Sequence, residues 1–513
     1  MATRMTVQQL IDAFNHAADE SDAMNMVSIA QQLLERDPDN GDYLLFLLHA
    51  LELLGRATEN LDLIQKFVLA KSTNVVGFTL LHRAYMERGQ ILEALLSLTY
   101  ALSIEPDNRH CQTLQSALLS QIDPKYTHVR LNAMTTSRVG HLCMEVEPWA
   151  RAISEQEEGC LYLFISSPSL PPANSYLYEL LGQIASIVES EFFYRLYLSR
   201  PLLLADDAFA EFPYDLKLSG RGVPNIEIAK VGFNNLIRIY NNYPPCLAVT
   251  EQAEKIAKDY LHAFGIHADD RLVCLHMRDS AYMQREFSGV DYSYHDYRDA
   301  DISTYRDCVE DLVQKGYKVV RIGAATNQEL DFSSPHYLDL CVNRDPNCGD
   351  LVEVFLLSVS AFFLCTYSGP FGIAALFDTP ILAVNAAPLT YPYPKHCHFI
   401  PKLLYQGDKL ISVPDICNGQ KLGDEDTLPI KLCHSGEDLA LYGYRYESNS
   451  SEDIRKAVAE FEQRVNGDCF DDRLTGRQKS FLDAVTGEFC MGDSKNVICD
   501  GFIRDHPEAF PGA

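Results

Sequence analysis

Polar side chains follow apolar segments in the second half of the chain, where strands of a parallel sheet are expected to end. The segment LVCLHM is followed by Arg278, and the segment AFFLCT is followed after one residue by Ser368 and Gly369. An arginine can donate two hydrogen bonds to one phosphate. The free N–H groups at the start of a helix also bind anions. These residues together predict a site for a diphosphate.

Further candidates for the same site stand at or near the ends of neighbouring apolar segments. A glycine at such a position lets a ligand approach the backbone closely, while lysine, histidine and asparagine donate hydrogen bonds to phosphate or sugar oxygens. The predicted phosphate-binding set is therefore completed by His276, Gly323, Asn385 and Lys402.

The connection 279–301 is long, polar and rich in tyrosine. Long connections without regular structure are usually functional, and we interpret this one as an active-site loop. It contains Asp299-Ala300-Asp301, the spacing of a metal-binding DxD sequence, but Asp301 is also placed to cap the helix that follows. His396 and His398 are predicted to line a sugar pocket in a loop. A metal site is not expected at either pair.

The elements around these residues alternate between strand and helix. Five apolar segments are continuous rather than alternating, which indicates strands covered on both faces in a doubly wound parallel sheet. These strands are predicted at 272–277, 317–323, 337–341, 361–366 and 379–385. An earlier α/β region is predicted from strands at 160–167 and 200–206 and helices at 175–188 and 251–263.

The first part of the chain carries a repeat. Pro38 and Pro106 are 68 residues apart, twice the 34-residue period of tetratricopeptide repeats, and Gly55 and Gly89 are 34 apart. Between two and a half and three repeats are expected over roughly 5–122, since one repeat cannot bury its apolar stripe alone. Such a module predicts a surface for a protein partner or for self-association.

Composition excludes several classes of function. The chain has 513 residues, and its net charge of −28 argues against a nucleic-acid partner. The N-terminal segment lacks the apolar core of a signal peptide, and no run of 18 apolar residues predicts a transmembrane segment. The 15 cysteines include no CxxC pair. We therefore expect a reducing, cytoplasmic location.

Several of these segments resemble a bacterial family of GT-B glycosyltransferases. The likeness is carried by VCLHMRDSAY, YSGPFGIAALFDTPILAVNAAP, HFIPKLLYQGDKLISVPDI and SRVGHL, over roughly 130–470. The HMRD sequence is also similar to the HxR motif of fucosyltransferase-like enzymes. By that similarity Arg278 contacts the donor diphosphate and His276 supports it.

The resemblance implies an α/β fold of the GT-B type, with two Rossmann-like domains facing a cleft and an all-α, TPR-like module before them. The implied divisions are the repeats at 1–125, an acceptor half at 126–265, a donor half at 266–445, and a crossover helix with a cap at 446–513.

The predicted function is transfer of a sugar from a nucleotide-sugar to a hydroxyl of a glycan, a lipid-linked glycan or a protein Ser or Thr. No cofactor is expected, and GT-B enzymes generally need no bound metal. A base must accept the hydroxyl proton. Asp279 is preferred because it follows a strand, and three alternatives stay open: His141, Glu286 and Asp291. Two other functions also stay open, a nucleotide-sugar epimerase of the same fold and a non-catalytic TPR scaffold.

Overall fold

The computed structural model describes residues 5–153, 159–199, 239–286, 289, 291–389, 396–418, 435–466, 470–485 and 497–513. The described residues form two compact units. The first draws on 1–133, 156–169 and 185–227, and the second on 134–155, 170–184 and 228–513. The segment 126–265, predicted as one half, therefore contributes to both units. Within the described residues, no helix has both the length and the apolarity needed to cross a membrane.

The first unit opens with seven helices, each packed on the next along the chain. Gly55 and Gly89 have φ of +69° and +72° directly after the third and fifth helices, where a left-handed residue ends a helix at little cost. The prediction of helical repeats is confirmed, as three helix pairs followed by one further helix. The helices are α1 (Val7–Asp19), α2 (Ala23–Leu34), α3 (Gly41–Leu53), α4 (Leu61–Ala70), α5 (Val75–Glu87), α6 (Ile91–Ile104) and α7 (Arg109–Ile122).

A three-stranded parallel sheet completes this unit, with β1 (His128–Ala133), β2 (Cys160–Ser166) and β3 (Ser186–Glu189) in that order. Phe193 of a following helix packs its ring 5.9 Å from that of Tyr100 on α6, so the repeats and the sheet share a core. The helix predicted at 175–188 ends at Ile184, because the β-branched residues beyond it extend β3 beside β2. The strand predicted at 200–206 lies outside the described residues.

The second unit is built on a seven-stranded sheet in which every neighbouring pair is parallel. The strand order is β13-β9-β8-β7-β4-β5-β6. All five strands predicted for this region are present. The strands are β4 (Leu272–His276), β5 (Lys318–Arg321), β6 (Tyr337–Asp339), β7 (Phe362–Cys365), β8 (Ile381–Ala386), β9 (Cys397–Pro401) and β13 (Val497–Ile498).

The sheet reverses its order between β4 and β7. From β4 the chain adds β5 and β6 on one side, and it then returns to place β7, β8 and β9 on the other. The connections after β4 and β7 leave in opposite directions. Ligands of open α/β sheets generally bind beyond the carboxyl ends of the strands at such a point. The predicted residues Arg278 and Ser368 follow these two strands.

Further helices cover the sheet and complete the second unit. They are α8 (Val139–Glu145), α9 (Glu147–Ile153), α10 (Ser175–Ile184), α12 (Glu251–His262), α13 (Ala281–Glu286), α14 (Arg306–Gln314), α15 (Gly349–Val359), α16 (Gly369–Leu376), α17 (Val413–Asn418), α18 (Gly436–Leu441), α19 (Ser451–Val465), α20 (Gly476–Ala484) and α21 (Asp500–Asp505); α11 (Glu191–Ser199) belongs to the first unit.

The C-terminal region differs from the expected crossover helix and peripheral cap. Helix α19 packs on α14, β8 and β9, and Arg455 on it forms an ion pair of 2.6 Å with Asp311. Strand β13 hydrogen-bonds to β9 as an edge of the main sheet. A small antiparallel sheet of β10 (Leu403–Gln406), β11 (Lys409–Ile411) and β12 (Tyr444–Glu447) lies between β9 and α19 in sequence. The C-terminal segment thus helps to build the sheet that carries the site.

Candidate functional site

Arg278 lies directly beyond β4 at the point where the sheet order reverses. Its backbone N–H donates to Thr366 Oγ1 at 2.8 Å, which ties the end of β4 to the end of β7. Its guanidinium donates to the carbonyl oxygen of His295 at 3.1 Å and pairs with the carboxylate of Asp299. Burial, helped by the charge of Arg298, lowers the Arg278 pKa to about 10, so the side chain stays charged at neutral pH.

Lys402 is buried next to the same loop. Its Nζ donates to the carbonyl oxygens of Tyr297 at 3.0 Å and Asp299 at 2.6 Å. Burial lowers the Lys402 pKa to about 8, and the positive charge of Arg278 contributes to that shift. The two predicted cations are therefore close enough for the charge of one to affect the other.

Arg298 is a third cation that the sequence analysis did not select. Its Nη2 donates to the carbonyl oxygen of Tyr367 at 2.8 Å, one residue before the Ser368 that opens α16. Its charge also lowers the pKa of Arg278. The sequence YRDAD in the predicted active-site loop, where an arginine precedes two aspartates, could have identified Arg298 as a candidate. We call Arg278, Arg298 and Lys402 the cationic cluster.

The start of α16 stands beside this cluster. Ser368 is the residue before the helix, and its hydroxyl donates to Thr366 O at 3.2 Å rather than capping the first turn. Pro370 has no N–H and Phe371 N–H donates to Ser368 O at 3.2 Å, so the positive end of the helix dipole acts here chiefly through the N–H of Gly369. The structure thus places Arg278, Lys402 and the Ser368–Gly369 helix start at one edge of the sheet.

Helix α8, which carries SRVGHL, packs closely on α16. A Cβ at Gly369 would lie 3.0 Å from Val139 Cβ, and one at Gly372 would lie 2.7 Å from Cys143 Cβ. Gly140 faces Gly369 in the same contact, so the expected close approach at Gly140 is to a neighbouring helix. His141 is exposed on α8.

His276 and Gly323 are neighbours at the ends of β4 and β5. His276 Nδ1 lies 3.0 Å from the carbonyl oxygen of Ile322, and burial lowers the His276 pKa to about 4. The ring is therefore neutral at physiological pH, with a proton on Nδ1 that is donated to that carbonyl oxygen. A Cβ at Gly323 would lie 3.3 Å from His276 Nδ1, and φ there is +145°. Glycine is needed at this position for both reasons.

Asp279 holds the ends of β4 and β5 together. Its carboxylate accepts from Ala281 N–H at 2.9 Å, Thr326 Oγ1 at 2.9 Å and Asn327 N–H at 2.8 Å. These donors fix the carboxylate and occupy much of its accepting capacity. The structure therefore gives the preferred proton acceptor a clear positioning role.

Two other predicted proton acceptors, Glu286 and Asp291, are exposed and accept hydrogen bonds from neighbouring residues. Glu286 is exposed at the end of α13 and accepts from Arg285 Nε at 2.7 Å. Asp291 is exposed and accepts from Ser293 N–H at 2.9 Å, a hydrogen bond that lowers the Asp291 pKa. Neither assignment as a base is tested by these contacts, so both stay predictions.

Asn385 is buried at the end of β8 with φ of +53°. Its side-chain oxygen accepts from Asn449 N–H at 2.7 Å, and its amide donates to Tyr305 OH at 3.3 Å. In return, the Asn449 side-chain oxygen accepts from Asn385 N–H, and Asn449 Nδ2 donates to Pro401 O at 2.8 Å. The amide of Asn385 thus joins β8 to the segment before α19.

The surroundings differ between the two pairs with a spacing that could suit a metal, Asp299 with Asp301 and His396 with His398. Asp299 pairs with Arg278, and Asp301 accepts from Ser303 N–H at 2.9 Å, which is the helix-capping role expected from its position. His398 belongs to strand β9 rather than to a loop, and its buried ring lies 5.5 Å from the rings of Phe461 and Phe470.

Comparison with known proteins gives resemblances in fold. No protein-family model matches the sequence, and no curated protein matches it either. E. coli ADP-heptose LPS heptosyltransferase II is similar over 61% of this chain and 98% of its own, at 14% identity and a TM-score of 0.35. A glycosyl transferase family 9 protein from Veillonella parvula is similar over 66% and 97%, at 10% identity and a TM-score of 0.38. MamA matches 22% of this chain at 17% identity and a TM-score of 0.21, and the chain spans 62% of its length.

Proposed function

We propose that this protein is a glycosyltransferase that takes a sugar from a nucleoside-diphosphate donor and transfers it to a hydroxyl acceptor. The observation that carries the proposal is the cationic cluster. Arg278, Arg298 and Lys402 meet beside the start of α16, at the point where the sheet order reverses. In a chain with a net charge of −28, three cations at one edge of the sheet would offer a local site for an anion, in competition with the Asp299 carboxylate that pairs with Arg278.

The cluster suits the leaving group of a glycosyl transfer. The acceptor hydroxyl attacks the anomeric carbon, the bond between that carbon and the diphosphate oxygen breaks, and the diphosphate leaves with additional negative charge. Donors fixed before the reaction stabilise that charge most effectively. Arg278 and Arg298 would hold the phosphates, Lys402 would add a third charge, and neutral His276 would support the backbone at the end of β5.

In this proposal the three side chains supply the positive charge that a divalent metal supplies elsewhere, so transfer proceeds without a metal cofactor. The proton of the acceptor goes to one of the predicted bases, Asp279, His141, Glu286 or Asp291. The acceptor is a glycan, a lipid-linked glycan or a protein, and the helical repeats α1–α7 recruit it or a protein partner.

Calorimetric titration with a panel of nucleotide-sugars tests the donor assignment. The panel comprises UDP-, GDP-, dTDP- and ADP-sugars, with CMP-sugars as a matched set that carries one phosphate. We expect binding of a diphosphate donor by the wild type and strong loss in Arg278→Ala. An affinity unchanged by Arg278→Ala, or equal binding of mono- and diphosphate sugars, would exclude the proposed site.

Product analysis then separates the classes of enzyme. A transferase releases nucleoside diphosphate and needs an acceptor for rapid turnover, whereas an epimerase converts the donor alone into a second sugar. We expect release of the diphosphate, stimulated by extracts of cell-surface glycan or protein. Conversion of the donor into an isomer with no release would replace the proposal by the epimerase.

A further inference from the structure

A second group of chemically competent side chains lies at the β9–β13 edge of the main sheet and includes no member of the cationic cluster. His398 is on β9, Cys499 directly follows β13, and Glu460 is on α19. One nitrogen, sulfur or oxygen atom from each lies within 4.8 Å of the other two. Imidazole, thiolate and carboxylate are the ligands that zinc takes in proteins. We call these residues the His–Glu–Cys group.

The imidazole of His398 is a second, independent observation that points to a ligand at this group. Its side chain is 1% exposed, and neither Nδ1 nor Nε2 has a hydrogen-bond partner within the part of the chain that the structure describes. The rings of Phe461 and Phe470 surround it. Buried polar groups without partners are rare in native proteins, and a group that binds an ion is one of the ordinary exceptions.

The other two members are held in place by main-chain hydrogen bonds. Both carboxylate oxygens of Glu460 accept from backbone N–H groups, those of Asp500 at 2.7 Å and Gly501 at 2.8 Å. Each oxygen keeps a second lone pair for a metal. Cys499 N–H donates to Phe399 O at 3.1 Å, which fixes the cysteine beside the strand of His398. Hydrogen bonds of this kind orient the ligands of natural metal sites.

We propose that His398, Glu460 and Cys499 bind a zinc ion that fastens the short edge strand β13 to β9. The thiolate and carboxylate together balance the charge of the dication, and a non-protein ligand such as water completes a tetrahedral shell. Bond lengths of about 2.0–2.3 Å place such ligand atoms about 3.3–3.8 Å apart, so modest side-chain rotations close the site. This inference departs from the expectation of no metal and does not depend on the proposed transferase activity.

Metal analysis of the full-length protein is the first test. We expect about one zinc per chain after growth with added zinc. After removal of zinc by a chelator, Co²⁺ should bind and give the near-ultraviolet charge-transfer band of a cobalt–thiolate bond. A wild-type protein that takes up neither metal, or that binds Co²⁺ with no thiolate band, would overturn the proposal without any variant.

Variants then assign the ligands. His398→Gln and Cys499→Ser should each lose the cobalt–thiolate band and at least ten-fold in zinc affinity. Cys417→Ser is the matched control, since Cys417 is a buried cysteine outside the group, and it should keep both. Added zinc should raise the melting temperature of the wild type and of Cys417→Ser but not of Cys499→Ser. An equal rise in all three would contradict the assignment.

Discussion

Arg278 and Lys402 follow two different strands of the sheet, β4 and β9, and both donate hydrogen bonds to the same loop. Arg278 Nη1 reaches the carbonyl oxygen of His295, and Lys402 Nζ reaches those of Tyr297 and Asp299. The loop oxygens partly satisfy both cations, while burial and, after it, repulsion from Arg278 lower the Lys402 pKa. A diphosphate arriving at this edge would relieve that repulsion, which makes charge the property to test first.

Donor binding should weaken as the pH rises through the pKa of Lys402, about 8. Above that pH the ammonium loses its proton and the diphosphate loses one of its cations. We expect the Kd of the nucleoside diphosphate to rise about ten-fold between about pH 7 and about pH 9.5, since a hydrogen bond to a charged group contributes about 1.5–3 kcal/mol. Calorimetry at several pH values measures this.

Lys402→Arg is the matched variant, because arginine stays charged over the whole range. Its affinity should be nearly independent of pH, and a decline as steep as that of the wild type would contradict the role of Lys402.

The pKa of Lys402 in the folded chain lies below the ordinary lysine value of 10.5. The unfolded chain therefore binds more protons between about pH 8 and about pH 10.5, and this group's contribution to stability increases over that window. Unfolding through Lys402 cannot explain the loss of affinity.

Arg278→Ala should reduce affinity for the nucleoside diphosphate by about 10- to 150-fold, the equivalent of about 1.5–3 kcal/mol for a charged hydrogen-bonding partner. Arg278→Lys should recover part of the loss, since it restores charge without the two-pronged geometry. Arg306→Ala is the control, because Arg306 is an exposed arginine paired with Asp331. Equal losses in the Arg278 and Arg306 variants would indicate a general effect of net charge.

Asp279→Ala should lower the free energy of unfolding by about 1–3 kcal/mol, since three donors lose a charged acceptor. Urea denaturation measures the change. Asp279→Asn separates positioning from proton transfer. If Asp279 only positions the loop, kcat should fall in proportion to the loss of loop order seen by hydrogen exchange. A kcat lowered by several orders of magnitude with unchanged exchange would identify it as the base.

Gly372→Ala should destabilise the contact between α8 and α16, because the new Cβ would lie 2.7 Å from Cys143 Cβ. Overpacking of this kind costs about 1–3 kcal/mol. Cys143→Gly removes the opposing atom, so the double variant should lose less than the sum of the two single losses. Gly476→Ala is the control, since nothing lies within 4 Å of its added Cβ. Additive losses in denaturation experiments would contradict the predicted clash.

Much of this fold could be predicted from the sequence because its strands are apolar along their whole length. Each of the five segments predicted in the main sheet contains a strand, and the 34-residue period located the helical repeats. Strand β13 was missed, since a short strand at the edge of a sheet depends on its neighbour more than on its own residues. Strand β9 was missed because it follows a segment rich in tyrosine, proline and histidine, which was interpreted as a loop. The same dependence explains β3, which was predicted as the end of a helix.

The candidate site was predictable only in part. Arg278 and Ser368 could be found because strand ends are visible in the sequence, and parallel strands bring their carboxyl ends to one edge. Arg298 could not be selected in this way, since it lies in a loop whose path is set by contacts with Tyr367 and Lys402. Nor could the sequence show that the side chain of Asn385 faces Asn449, because that pairing joins positions 64 residues apart.

The interlocked amides of Asn385 and Asn449 bear on covalent modification. Asn449 begins the tripeptide Asn-Ser-Ser, the acceptor pattern for N-linked glycosylation. Its Nδ2, the atom that would carry the glycan, is buried and donates to Pro401 O at 2.8 Å. A sugar on that nitrogen would displace β8 from the segment that precedes α19. In the folded chain, Asn449 of this tripeptide therefore holds β8 and β9 to the segment before α19. A glycan could be attached to it only before folding, and it would then disrupt the sheet that holds the cationic cluster.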